Sequence, residues 1–165
     1  MKGPFSKAEL LVRGSLRSAR LIRELCEEKG DSHSRLIESP VIADDLVIVG
    51  SSVQGAVEKR REHVVPCRMI VRQCHKMIGE GRGDDEVAAF IRRNLRIVLL
   101  SGAECRQLDS KSASDLKVKM PGEWAFGACA FERLTRAGIL WKPYVLDEGL
   151  AGALELRWPR HMGAS

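Results

Sequence analysis

Leu95-Arg96-Ile97-Val98-Leu99-Leu100-Ser101-Gly102-Ala103-Glu104 is the stretch on which the fold turns. Its first six residues, rich in Leu, Ile and Val, are the strongest strand signal in the chain. They run straight into Ser-x-x-Glu, in which the serine accepts from an amide three residues on while the glutamate reaches back, so a short helix through Leu108 follows. Upstream, Val87, Ala88, Phe90, Ile91 and Leu95 recur at helical spacing behind Asp84 and Asp85, two acids suited to a helix N-terminus. Before them Met69, Ile70, Cys74, Met77 and Ile78 make a second helical face, closed by Gly79, Gly81 and Gly83, and the two helices read as a hairpin. Pro66 precedes that pair as a hinge, because the residue before a proline favours extended geometry and proline suits a first helical turn.

Further out the same signals repeat. Leu46-Val47-Ile48-Val49 is a short β-branched run ending at Gly50, and a second extended stretch ends at Glu62-His63-Val64-Val65-Pro66. Ser6 and Glu9 form another capping box, opening a long helix whose apolar residues, from Leu11 to Cys26, stop near Lys29 and Gly30. After the first-quoted segment come a Ser/Lys-rich loop over 109–123 and a last helix over Phe126–Ile139, ended by Gly138. The fold expected is therefore α+β and mainly helical, with a small antiparallel sheet of two or three strands and a ββα-like element. Residues 1–139 are expected to form one domain, and residues 140–165 a C-terminal extension of weaker order.

Composition narrows the class. The 165 residues are 44% hydrophobic and 30% charged, enough for one core and unlike a disordered chain. No apolar run approaches the roughly 18 residues of a membrane span, and the N-terminus lacks the apolar stretch of a signal peptide, so no membrane association is expected. Five cysteines without a Cys-x-x-Cys pair argue against a disulfide framework, and reduced thiols in a cytoplasmic protein are expected. Most of them read as small core residues. Cys67, Cys74 and His75 with His63 fit no zinc-module spacing, whereas Cys105, in a first helical turn where a thiolate is favoured, is the candidate reactive thiol.

Charge is uneven. Residues 59–119 hold 14 Lys and Arg against 8 Asp and Glu, while residues 1–58 hold 8 against 9 and the remainder 5 against 5. A basic central segment attracts a polyanion through phosphate contacts and counterion release, and its bland counterpart is a set of solvated helix faces. Lys59, Arg60, Arg61, Arg93 and Arg96 are the candidate phosphate contacts, with DNA expected before RNA.

Glu62 and His63, ending one strand, and Glu104 and Asp109, on the helix after another, form the one constellation suited to chemistry. Hydrolysis of a phosphodiester needs a base to activate water and a hard cation held by oxygen ligands. Neighbouring strand residues point to opposite faces, so Glu62 and His63 share a site only if the backbone turns there.

Glu62-His63-Val64-Val65-Pro66 resembles the Asp/Glu-His-Ile/Val-Ile/Val-Pro signature that opens the ββα-metal finger of HNH nucleases, and Leu95–Leu100 resembles its second strand. The resemblance implies His63 as general base and Glu62 as ligand to Mg²⁺ or another divalent cation. The family's further ligand, an Asn or His on the following helix, is replaced here by Cys105, with Glu104 beside it and Asp109 one turn on as carboxylates suited to a hard cation. Residues 67–94 form a longer insertion between the two strands than that family usually has.

The leading functional expectation is a metal-dependent nuclease-like protein that hydrolyses or binds nucleic-acid phosphodiesters. The alternatives are a nonenzymatic nucleic-acid-binding or regulatory protein on a degenerate finger, and a protein-interaction module of a mobile element or defence system. Salt-sensitive binding that survives His63→Ala marks the second, and an apolar patch around Trp124, Phe126 and Trp141 without nucleic-acid affinity marks the third.

Overall fold

A computed structural model describes residues 3–55 and 57–159; residues 160–165 of the expected extension lie outside the described residues. The chain is α+β and divides into two compact units, each built from three separated segments. No helix among the described residues is long and apolar enough to cross a membrane.

The helical unit takes the chain up to Val47, Cys67–Leu95 and Leu146–Glu155. Its longest helix, α1, spans Lys7–Lys29. Ser6 and Glu9 close the expected capping box, the Glu9 amide donating to Ser6 Oγ at 3.2 Å and the Ser6 amide to Glu9 Oε2 at 2.7 Å. Gly30, at φ 74°, ends the helix in the left-handed region where glycine carries no steric cost. The expected hairpin is present as α2, Cys67–Gly79, and α3, Asp84–Asn94, and both pack on α1 together with α6, Glu148–Leu154. Leu11, Ala19 and Ile22 of α1, Ile70 and Cys74 of α2, and Val87 and Ile91 of α3 form the core. The turn at Val41 and Ile42 presses on Gly14, where an added Cβ would stand 3.2 Å from the Val41 carbonyl oxygen.

The sheet unit takes Ile48–Pro66, Arg96–Val145 and the chain from Leu156. Its strands are β1, Ile48–Ser52; β2, Lys59–His63; β3, Ile97–Ser101; and β4, Trp141–Pro143, in the order β2-β3-β1-β4. β3 is antiparallel to β2 and parallel to β1, and β4 is antiparallel to β1. The sheet therefore has four strands and mixed direction, where two or three antiparallel strands were expected. β3 occupies an interior place because Ile97, Val98 and Leu100 are apolar on both faces, as a doubly covered strand requires. β1 starts later than its sequence signal because Asp44–Leu46 closes a 3₁₀ turn that takes up Leu46.

β3 feeds α4, Gly102–Asp109, through the second capping box. The last helix expected over 126–139 is reduced to α5, Glu132–Arg136. Gly127 at φ 101° and Gly138 at φ 70° interrupt the helical path on either side of it, and the Trp124 indole caps the intervening turn by donating to the Cys129 carbonyl at 2.8 Å. Phe131, Trp141 and Trp158 stack as the aromatic part of this unit's core, with centroids 4.7 to 5.9 Å apart.

Candidate nucleic-acid interface on a strand-strand-helix element

β2, β3 and α4 form the ββα arrangement that the sequence suggested, with α4 packed against both strands. β2 pairs with β3 without a bulge, from Lys59 opposite Ser101 to His63 opposite Ile97. In such a regular strand side chains alternate, so Arg60 and Glu62 share one face while Lys59, Arg61 and His63 share the other. The turn that would bring Glu62 and His63 to one site is not made within β2.

On the Glu62 side the environment is built by Cys105 and Asp109, one turn apart on α4. Burial, with the charge of Glu62 next in importance, pushes the Cys105 thiol up from its ordinary range. Asp109 and Glu104 add to the rise and Arg60 opposes it. Cys105 is thus held as a neutral thiol rather than the expected reactive thiolate, because burial first and the neighbouring carboxylates second disfavour its charged form.

Each proposed oxygen ligand has a defined position. Glu62 is half-buried and its Oε1 accepts from Arg133 Nη2 at 2.6 Å. Arg133, only 1% exposed, also donates to the carbonyl oxygens of His63 and Leu116, each at 2.6 Å. Glu104 is buried, its Oε1 accepting from Ser52 Oγ at 2.7 Å and its Oε2 from the Ser101 amide at 2.9 Å. Asp109 is exposed at the end of α4. Of the three carboxylates, one is paired with a guanidinium, one is consumed in capping and one faces solvent. As a donor set for a hard cation they do not fit, since a metal at Glu62 would have to displace the guanidinium.

The candidate phosphate contacts separate by burial. Arg60 and Arg61 are exposed on β2, an edge strand of the sheet. Lys59 Nζ donates to Ser51 Oγ and to the Ser52 carbonyl at 2.8 Å. Arg96 is 2% exposed and presents no surface to a phosphate. Arg93 belongs to the helical unit and pairs with Glu155 at 3.3 Å.

One residue that the sequence does not mark joins them. A Cβ placed on Gly102 would lie 3.4 Å from Arg106 Nη1 and 3.8 Å from Arg60 Nε, so the two guanidinium groups converge over the first residue of α4. Neither makes an ion pair with any described residue. Arg106 gives no signal of its own in the sequence, because a single arginine on a short helix reads as a solvated side chain. Arg133 is equally silent, flanked by Phe131 and Leu134 in an ordinary amphipathic pattern.

The chain matches no protein-family model, no curated protein and no solved structure. Function therefore rests on the side chains just described.

Proposed function

We propose that the protein binds nucleic-acid phosphodiesters on its β2-β3-α4 element, as a nuclease-like finger that holds the backbone without a cation at Glu62. The observation that carries this reading is the meeting of the Arg60 and Arg106 guanidinium groups over Gly102, unpaired and exposed. Guanidinium groups bind phosphate oxygens in a bidentate manner, and the small Gly102 leaves the helix start open to a backbone phosphate. The basic residues have a bland counterpart, since charges on an edge strand also prevent strand-to-strand aggregation. That counterpart requires no convergence of Arg60 with a residue of α4.

Hydrolysis is a second reading, favoured by the position of His63 at the end of β2, where the HNH resemblance places a general base. The carboxylates do not assist it as cation ligands, because Glu62 is held by Arg133 and Glu104 by Ser52 and Ser101.

A retardation assay on duplex DNA over a range of salt concentrations, run with a Mg²⁺- or Mn²⁺-dependent cleavage assay, tests both readings. For binding, Arg60→Gln with Arg106→Gln should lower the slope of log affinity against log salt by about 1 per contact removed, and His63→Ala should leave affinity unchanged. Cleavage abolished by both EDTA and His63→Ala would replace this reading with the hydrolytic one. A wild type that neither retards nor cleaves DNA overturns both.

A further inference from the structure

The helical unit contains a second group of chemistry-bearing side chains. A cleft of about 300 Å³ is lined by the end of α1 and the turn after it, Lys29 and Asp31 to Ser34, and by Arg68, Val71, Arg72 and His75 of α2. The α2 residues recur at intervals of three and four, so they form one helix face. The volume suits a small ligand.

Three cations line this cleft, and Lys29, Arg68 and Arg72 have no hydrogen-bond or ion-pair partner among the described residues. Some other cations of the same unit are paired: Arg23 Nε holds Asp84 at 2.6 Å and Arg82 holds Glu86 at 2.9 Å. Like charges at positions i and i+4, such as Arg68 and Arg72, oppose helix formation when nothing lies between them. An anion in the cleft removes that opposition.

Directed hydrogen bonding comes from Ser32 and His75, both half-buried. Ser32 Oγ lies 2.6 Å from His75 Nε2. With the imidazole proton on Nε2, His75 donates to Ser32 Oγ, and the serine's own O–H is left for a ligand oxygen. The one carboxylate of the lining, Asp31, accepts from the Ser32 amide at 2.8 Å and stands 4.0 Å from His75 Nδ1.

We propose that this cleft binds a phosphomonoester group, with Lys29, Arg68 and Arg72 supplying charge and Ser32 and His75 supplying directed hydrogen bonds. A monoester approaches two negative charges at neutral pH, whereas each phosphate of a nucleic-acid backbone carries one. Three unpaired cations and a partly enclosed volume discriminate in favour of the dianion. Its source is either a free small phosphate compound or the 5′-terminal phosphate of a nucleic acid.

The test is calorimetric titration of the full chain with inorganic phosphate, with a 5′-phosphorylated dinucleotide and with the same dinucleotide lacking that phosphate. Inorganic phosphate should bind, the phosphorylated dinucleotide should bind if the terminal phosphate is the source, and the unphosphorylated one should not bind. The double variant Arg68→Gln, Arg72→Gln should weaken phosphate binding at least about tenfold. Lys76→Gln, which removes a charge from α2 outside the cleft lining, should leave it within about twofold. Arg60→Gln with Arg106→Gln should also leave it unchanged, which separates this cleft from the interface on the sheet unit. Absence of phosphate binding, equal binding of the unphosphorylated dinucleotide, or an equal loss in Lys76→Gln overturns the proposal.

Discussion

Arg133 illustrates how much one side chain organises when it is taken out of water. Its guanidinium meets the Glu62 carboxylate and the carbonyl oxygens of His63, Leu116 and, at 3.3 Å, Lys117, so the end of β2 and the loop before α5 are tied to a single group. Removing one partner of such a pair costs more than removing both, because the survivor keeps its desolvation penalty. Arg133→Met is therefore expected to lower unfolding free energy by about 3 to 5 kcal/mol, and adding Glu62→Met should return part of that loss in denaturant titrations. Cys74 offers a second check at this scale. Burial pushes its thiol from an ordinary 9.0 to about 12. The folded protein keeps that proton where the unfolded chain has lost it, so the thiol's contribution is intact below pH 9 and is lost between pH 9 and about 12. Unfolding free energies measured across that window should fall more steeply for wild type than for Cys74→Ala. At this scale Glu62 and His63 were legible as motif residues, whereas the Arg133 and Arg106 contacts were not, since both are made to residues far away in sequence.

At the scale of elements, local signals served well where the interactions are local. Both Ser-x-x-Glu boxes sit at helix starts because their bonds span three residues. The closing helix was overestimated because apolar spacing over 126–139 does not reveal that Gly127 adopts a left-handed conformation. β4 went unread for a different reason. A three-residue strand carries almost no periodicity, and its existence depends on Gly50 of β1. An added Cβ there would come within 2.5 Å of both the Lys142 carbonyl oxygen and the Trp141 ring. Gly50→Ala is expected to force β4 from β1 at a cost of about 1 to 3 kcal/mol. The accompanying displacement of Trp141 from Phe131 should reduce near-ultraviolet circular dichroism and the melting temperature together.

For the molecule as a whole, the fold class could be read from the sequence but the strand order could not. β1 and β3 are parallel neighbours separated by β2, α2 and α3 in the chain, and no short-range pattern encodes such a pairing. The stretch after Leu140 contributes to both units: β4 extends the sheet, and Leu150 and Leu154 of α6 are buried in the helical unit. A chain ending at residue 139 should thus damage both units at once, losing its cooperative thermal transition as monitored by circular dichroism. An intact transition in that truncated chain would show that neither β4 nor α6 is required.

The interleaving of segments also bears on synthesis. The chain passes from one unit to the other at Val47, Pro66, Leu95, Val145 and Glu155, so neither unit is encoded by an uninterrupted stretch. Growing from its N-terminus, the nascent protein emerges with α1 and β1 long before their partners α6 and β4 have been translated. Chaperones that shield exposed apolar surface consequently meet two unfinished cores at once, until α6 and β4 have emerged to complete them.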